Sequence, residues 1–241
     1  MLLKYIIRLS GVLFLLVMPA AFLVPLSASC YTGENVTVPG EKDSADIQIL
    51  YNGRAWRNLY YRVRGDQFLF TNAFMKGSVT IDGQTFDKLL LCYDIFNDEL
   101  VINTELGILI QLNKEMIDFF SLEFNNKNYK FRRLDADSVN SLSGYVNVLY
   151  EDGLSLYVKF RKEILLLAVD NKFDLFNESS KVYMKKDGVI YRIGSKGEFL
   201  NLLKDHNQEI HKFLKSNKIH LSKSNPESMA QVLGFYEKLL H

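Results

Sequence analysis

The sequence predicts an α+β protein: mainly antiparallel β hairpins followed by two C-terminal amphipathic helices. Three observations predict it. Asp-Gly pairs at Asp82-Gly83, Asp152-Gly153 and Asp187-Gly188 each separate two runs rich in β-branched and aromatic residues, which is a hairpin pattern. Several of those runs alternate apolar and polar residues, giving one wet and one buried face. After residue 195 the apolar spacing changes from two to three and four, the helical period. With 241 residues, 48% apolar and 24% charged, the composition is that of an ordinary globular chain with room for one or two domains at about 150 residues each.

Residues 1–29 read as a signal peptide. Lys4 and Arg8 form a basic start, an uncharged stretch runs from Gly11 to Val24, and Ser27, Ala28 and Ser29 supply the small end. Residues 6–26 are also just long enough to span a bilayer as an uncleaved anchor. Pro19, Pro25 and the small-residue end favour cleavage. Cys30 is a candidate lipidation site: Ser29 before it suits a lipoprotein signal, but Ser27 stands where an aliphatic residue belongs and Leu26 is one place early. A lipid there would tether the protein to a membrane surface. Lipidation and plain cleavage near Ala28 or Ser29 both stay open. Residues 30–45, with Gly33, Pro39 and Gly40, read as a flexible tether. No later stretch approaches about 18 continuous apolar residues.

Residues 46–194 read as an antiparallel β-rich domain. The expected strands are 47–50, 56–64, 67–71, 78–81, 84–96, 100–103, 107–112, 119–124, 129–134, 145–150, 154–164, 182–185 and 189–193. Asn125-Asn126-Lys127-Asn128 is a further turn cluster. Val146, Val148 and Tyr150 share one face, as do Leu154, Leu156, Val158 and Phe160. Leu89, Leu90 and Leu91 are apolar on both faces, which predicts a central strand for 84–96. The sheet is left open between a curved sheet, a sandwich and a half-open barrel. Residues 195–241 read as a helical segment packing on the β domain. Ser195 and Glu198 match a capping box, and Phe199, Leu202, Leu203, His206, Ile210, Phe213 and Leu214 give a stripe for one helix over 196–216. Asn225-Pro226 opens the second, with Met229, Val232, Leu233, Tyr236, Leu239 and Leu240 as its stripe. A weak echo links 77–83 with 144–150, each leading into an Asp-Gly turn; two ordinary hairpins are the first reading and a duplicated β-layer the other.

Charge and motifs exclude several chemistries. Without the leader's Lys4 and Arg8 the chain carries 27 basic against 28 acidic residues, so it lacks the basic excess of a nucleic-acid coat. Two cysteines cannot build a disulfide scaffold or a Cys₄ zinc site. No Gly-x-Ser-x-Gly elbow occurs, and His206, His211, His220 and His241 all fall in the last 36 residues, with no His-x₃-His pair. No glycine-rich phosphate loop opens a helix. Cys92, between Leu91 and Tyr93, reads as a small buried hydrophobe, with pairing to an unlipidated Cys30 as an alternative. Lys185-Lys186 and Arg132-Arg133 read as solvated pairs. Asp94, Asp98 and Glu99 cluster between two apolar runs; as a carboxylate pair they could do acid–base work, but a solvated strand connection is the first reading. Trp56, flanked by Arg54 and Arg57, suits either a core position or a carbohydrate or peptide platform.

The stretch Gly83-Gln84-Thr85-Phe86, then Tyr93-Asp94-Ile95-Phe96-Asn97-Asp98-Glu99-Leu100 and Ile110-Gln111-Leu112, resembles uncharacterised exported β-rich envelope proteins of Gram-negative bacteria that carry a Tyr-Asp-Ile-x-Asn-Asp core. Trp56, Gly77 and the tail from Tyr183 through Phe213 to Tyr236 extend the likeness over most of the mature chain, with Cys92 a departure from it. The resemblance implies an envelope location and no assigned activity or catalytic residue.

The sequence thus predicts a non-enzymatic exported cell-envelope protein, periplasmic or at the outer-membrane surface, with secretion as the alternative. It would act as a binding or accessory module without cofactor or metal. Its partner is an unspecified envelope protein or ligand, with membrane association through a Cys30 lipid. Trp56, Asp94 and Asp98 are the weak binding-surface candidates. Two alternatives carry tests: a lipid carrier predicts an apolar cavity between sheet and helices, and a hydrolase predicts two carboxyls about 5–9.5 Å apart in a concave pocket.

Overall fold

The computed structural model describes residues 48–135 and 142–240. The expected leader, the tether with Cys30, and His241 lie outside the described residues. Eleven strands form one open, curved antiparallel sheet: β1 Arg54–Ala55, β2 Met75–Ile81, β3 Gln84–Asp94, β4 Glu99–Asn103, β5 Leu109–Gln111, β6 Ile117–Phe124, β7 Lys127–Leu134, β8 Gly144–Glu151, β9 Ser155–Val169, β10 Phe173–Lys186 and β11 Val189–Ile193. Their order across the sheet is β1-β5-β4-β3-β2-β6-β7-β8-β9-β10-β11. Three helices follow: α1 Lys196–Leu202, α2 Asn207–Ser216 and α3 Glu227–Leu240.

Turn chemistry sets most of the hairpins. Asp82 and Gly83 take φ of 49° and 79°, Asn125 and Asn126 take 50° and 59°, and Asp187 and Gly188 take 52° and 78°. Two successive left-handed residues make the type I′ turn whose twist matches the strands it joins. Asp152-Gly153 also closes a hairpin, but without left-handed residues; the register shifts between Val148 and Tyr150 instead, and a bulge supplies the twist. Gly77 lies beside a second bulge, where any side chain would overlap the Ser121 carbonyl of β6.

Several expectations for the N-terminal stretch are corrected. Residues 49–51 form a 3₁₀ turn rather than a strand. The region 56–74 forms no named strand and meets the sheet through single bonds and isolated bridges at Trp56, Arg64 and Phe68; at the last, Leu69 N donates to Tyr93 O at 2.9 Å and Ile95 N donates to Gln67 O at 3.0 Å. The aromatic pattern that suggested strands marks an irregular segment laid over the core face. Side chains compete with ladder formation there, since Asn58 Oδ1 accepts from Tyr60 N and Asp66 Oδ1 accepts from Phe68 N. Strand β3 is interior as predicted, between β2 and β4, yet Leu90 is exposed, so a triple leucine did not require burial on both faces. In the other direction, β9 continues to Val169 and β10 begins at Phe173, so 165–181 is strand and turn that the pattern left unassigned.

Two cores result. Val79, Phe86, Leu91, Tyr93, Leu122 and Phe131 sit in the one beneath β2–β7. Leu156, Met184, Phe199, Ile210, Met229 and Leu233 fill the other, between β8–β11 and the helices. The predicted long helix is broken at Lys204–His206 by a 3₁₀ turn. Lys186 is not solvated as predicted: its Nζ donates to the Leu202 carbonyl at 2.7 Å, taking an acceptor at the break. The capping expected at Ser195 is present, with Glu198 N donating to Ser195 Oγ at 3.2 Å, but the returning carboxylate bond is to the residue before the cap: Glu198 Oε2 accepts from Gly194 N at 2.8 Å.

Candidate functional site

A cleft of about 350 Å³ opens where β1 leaves the sheet edge. Trp56, Arg57 and Tyr60 come from the irregular segment, Arg54 from β1, Gln111 from β5, Asn97 from the β3–β4 turn and Glu99 from the start of β4. The chain is held there by Trp56 N donating to Leu109 O at 2.9 Å, just past the β1–β5 pairing. The Trp56 ring leans on Phe68, with centroids 5.6 Å apart and planes at 45°, and is half-buried. It is therefore both a packed aromatic and a cleft wall. Tyr60 stands edge-on to Phe96 at 4.9 Å and donates to Asn97 Oδ1 at 3.3 Å. Arg54 is committed: its Nε donates to Gln111 Oε1 at 2.8 Å and its guanidinium pairs with Glu99 at 3.1 Å. Arg57 is exposed and has no ion pair among the described residues.

Behind the cleft Asp94 and Ile95 are buried and Asp98 is half-buried, not solvated as the sequence suggested, while Asn97 between them stays exposed. Asp94 is 0% exposed. Its Oδ1 accepts from Phe96 N at 3.0 Å and Asn97 N at 2.9 Å; its Oδ2 accepts from Asn97 Nδ2 at 2.8 Å and from Gln67 Nε2 at 3.4 Å. Burial raises the Asp94 pKa, and the four donors offset only part of that. Its role is to hold Asn97 and Gln67 at the cleft wall.

Asp98 turns the other way. Tyr93 OH donates to Oδ1 at 2.5 Å, Lys159 Nζ to Oδ1 at 2.7 Å, Lys114 Nζ to Oδ2 at 2.5 Å and Tyr145 N to Oδ2 at 3.3 Å. Burial alone would raise its pKa, but Lys159, Lys114 and Tyr93 outweigh it and the carboxyl is held below the usual range. Burial lowers the Lys159 pKa, against the pull of Asp98, and the nearby Lys114 and Arg161 charges push the same way. Gly144 belongs to this cluster. Its φ is +77°, and a methyl there would overlap Asp98 Oδ2.

Asp94 and Asp98, for which an acid–base pair was the alternative to a solvated connection, thus share no hydrogen-bond partner, and each is saturated by its own donors. Trp56 and Asn97 meet in the cleft, Asp94 supports it from behind, and Asp98 serves the core. Sequence reasoning missed Arg57, Tyr60, Gln67 and Gln111 as a group because β5 and the β3–β4 turn bring them together from distant positions. Arg132 and Arg133 are not solvated pairs either; they bind Glu151 and Glu115. Cys92 is buried, its thiol donates to Ala73 O at 3.2 Å, and burial together with the Asp66 charge pushes its pKa up to about 12. His206 stands edge-on to Tyr236 at the helix break. In comparisons with known proteins, the chain matches no family model, no curated protein and no solved structure.

Proposed function

We propose that this chain is an exported, non-enzymatic binding module of the cell envelope that holds an acidic saccharide against Trp56. The leader and the Tyr-Asp-Ile-x-Asn-Asp resemblance support export. The observation that carries the binding reading is the cleft itself: an indole wall beside Arg57, a guanidinium with no ion pair among the described residues, and the side-chain amides of Asn97 and Gln111 at the rim. An indole face covers the C–H face of a sugar ring, amides satisfy its hydroxyls, and a guanidinium takes a carboxylate in bidentate fashion. The carboxylates that a hydrolase would need are committed elsewhere, Asp94 to backbone amides and Asp98 to two lysines. The carrier reading is the weaker one, because Leu156, Met184, Phe199 and Leu233 fill the space between sheet and helices.

Trp56 is the sole tryptophan of the chain, so its emission reports the cleft directly. Titration with uronic-acid oligosaccharides should change that emission saturably. Neutral counterparts should bind at least about tenfold more weakly, the worth of one charge-assisted contact. Arg57→Ala should erase that preference, and Trp56→Ala, followed by calorimetry, should abolish binding. Equal responses from Arg57→Ala and wild type, or an unchanged emission throughout, would sink the reading.

A further inference from the structure

Strand β9 outruns its neighbour. Its pairing with β8 reaches only to Asn147↔Val158, and β10 meets β11 only from Val182 onward. Between them, residues 159–181 form a ribbon two strands wide. Its flank is tied to the irregular segment: Lys162 Nζ donates to Phe68 O at 2.5 Å nearer the root, and Arg64 N donates to Asp174 O at 2.8 Å and Phe176 N to Arg64 O at 3.0 Å close to the turn. The apolar side chains near the turn nevertheless stay exposed. Ile164, Leu165, Leu166, Leu167, Ala168 and Val169 are six apolar residues in a row. Leu166 is 77% and Leu167 56% exposed, with Phe173 at 41% and Tyr61 at 73% beside them. An uninterrupted apolar run facing solvent is a cost unless something covers it.

Cations surround this end. Tyr61, Leu167 and Phe173 line one shallow groove with Arg62, Arg64 and Lys172. The Arg62 guanidinium lies 5.5 Å over the Tyr61 ring and that of Arg64 lies 4.5 Å over Phe173. None of the three cations has an ion pair among the described residues. Of the nearby carboxylates, Asp174 accepts from Leu167 N at 2.9 Å and Asp170 sits exposed in the turn.

From this we infer that the β9–β10 ribbon end docks on an anionic bilayer surface. Leucine and aromatic side chains enter the acyl boundary, while arginine and lysine stretch to the phosphates. A protruding end meets a plane with its apolar side chains together. A second copy would bring the same three cations against these three. Insertion is shallow, because β9 past residue 158 has a strand partner on one side only, and unpaired backbone groups cannot enter hydrocarbon.

Site-specific fluorescence of the full chain tests this. Leu166→Trp and Tyr61→Trp, each in a Trp56→Phe background, place the only indole at the ribbon end. Vesicles containing phosphatidylglycerol should shift both emissions to the blue, and shallow-brominated lipid should quench them. Pure phosphatidylcholine vesicles should do so far less. Replacing Arg62, Arg64 and Lys172 together by Gln should weaken the response roughly a hundredfold. A leader or a lipid on Cys30 cannot imitate the result, since each probe reads its own surroundings. Unshifted emission with anionic vesicles overturns the inference. So does an equal response to phosphatidylcholine, or a blue shift that grows with protein concentration without vesicles, which would assign the ribbon end to a second copy. Circular dichroism confirms that each variant is folded, and none of these outcomes depends on a saccharide in the cleft.

Discussion

The Lys159 side chain is only 4% exposed, and its ammonium is bonded to Asp98 at 2.7 Å and to the Tyr145 carbonyl at 2.8 Å. Removing the Asp98 charge would leave that ammonium buried beside Lys114, an arrangement that costs about 3–5 kcal/mol. Asp98→Asn should therefore destabilise the fold by about that amount in urea titrations, whereas Asp94→Asn should cost about 1–2 kcal/mol, since an amide oxygen still accepts from Phe96 N and Asn97 N. The two carboxyls also carry opposite pH signatures. The Asp98 pKa lies below its unfolded value, so its contribution is present above the unfolded pKa and is lost as pH falls through the folded one. The Asp94 pKa lies above its unfolded value, so protonation of Asp94 favours the native state as pH falls. Asp98→Asn should flatten the loss of stability on the acid side of pH 4, and Asp94→Asn should remove a gain that accrues above pH 4, as pH falls from the raised folded pKa towards the unfolded one. The reverse assignment would contradict the geometry. The chemistry of these residues was half legible in the sequence: Tyr93, Asp94, Asn97 and Asp98 stood out together, but the lysines that bury the turn lie 16 and 61 positions beyond Asp98.

Helix α3 docks through a buried carboxylate as well as its apolar stripe. Glu237 accepts from Tyr150 OH at 2.5 Å and from the Leu154 backbone N–H. It therefore satisfies a donor at the β8–β9 turn, which lacks the left-handed pair found in the other Asp-Gly hairpins. Glu237→Ala should cost about 1–3 kcal/mol by orphaning Leu154 N, and Glu237→Gln clearly less; equal losses for the two would mean that packing rather than the hydrogen bonds matters. At this scale the hairpins were readable wherever Asp-Gly or Asn-Asn marked the turn. The β9–β10 ribbon was not, for two physical reasons. Its turn is Asp170-Asn171, with φ of 53° and 52° but no glycine to announce it. Its apolar run does not alternate, because the ribbon end has no buried face to alternate with.

The two cores are joined by β7–β8 pairing and by Phe160, which packs against both. Trp56 stands on the side of the first core, while the helices cover the second. Unfolding followed by Trp56 emission and by helical circular dichroism should accordingly trace one coincident transition; separated midpoints would show that the halves melt independently. The class of the whole molecule was legible from turn residues and periodicity together. The cleft was not, because it depends on β1 crossing to pair with β5, Arg54 opposite Gln111, a contact that no local pattern encodes. The Asp98 cluster has a further consequence, for the order of assembly. Its turn lies in the first half of the sheet, but Tyr145 and Lys159 arrive with the second. Before they arrive the carboxylate is better solvated by water than by its own hairpin. A chain still emerging, with residue 159 not yet released, holds β3 and β4 with their connecting turn unlatched, and the earlier half is completed only by the later one.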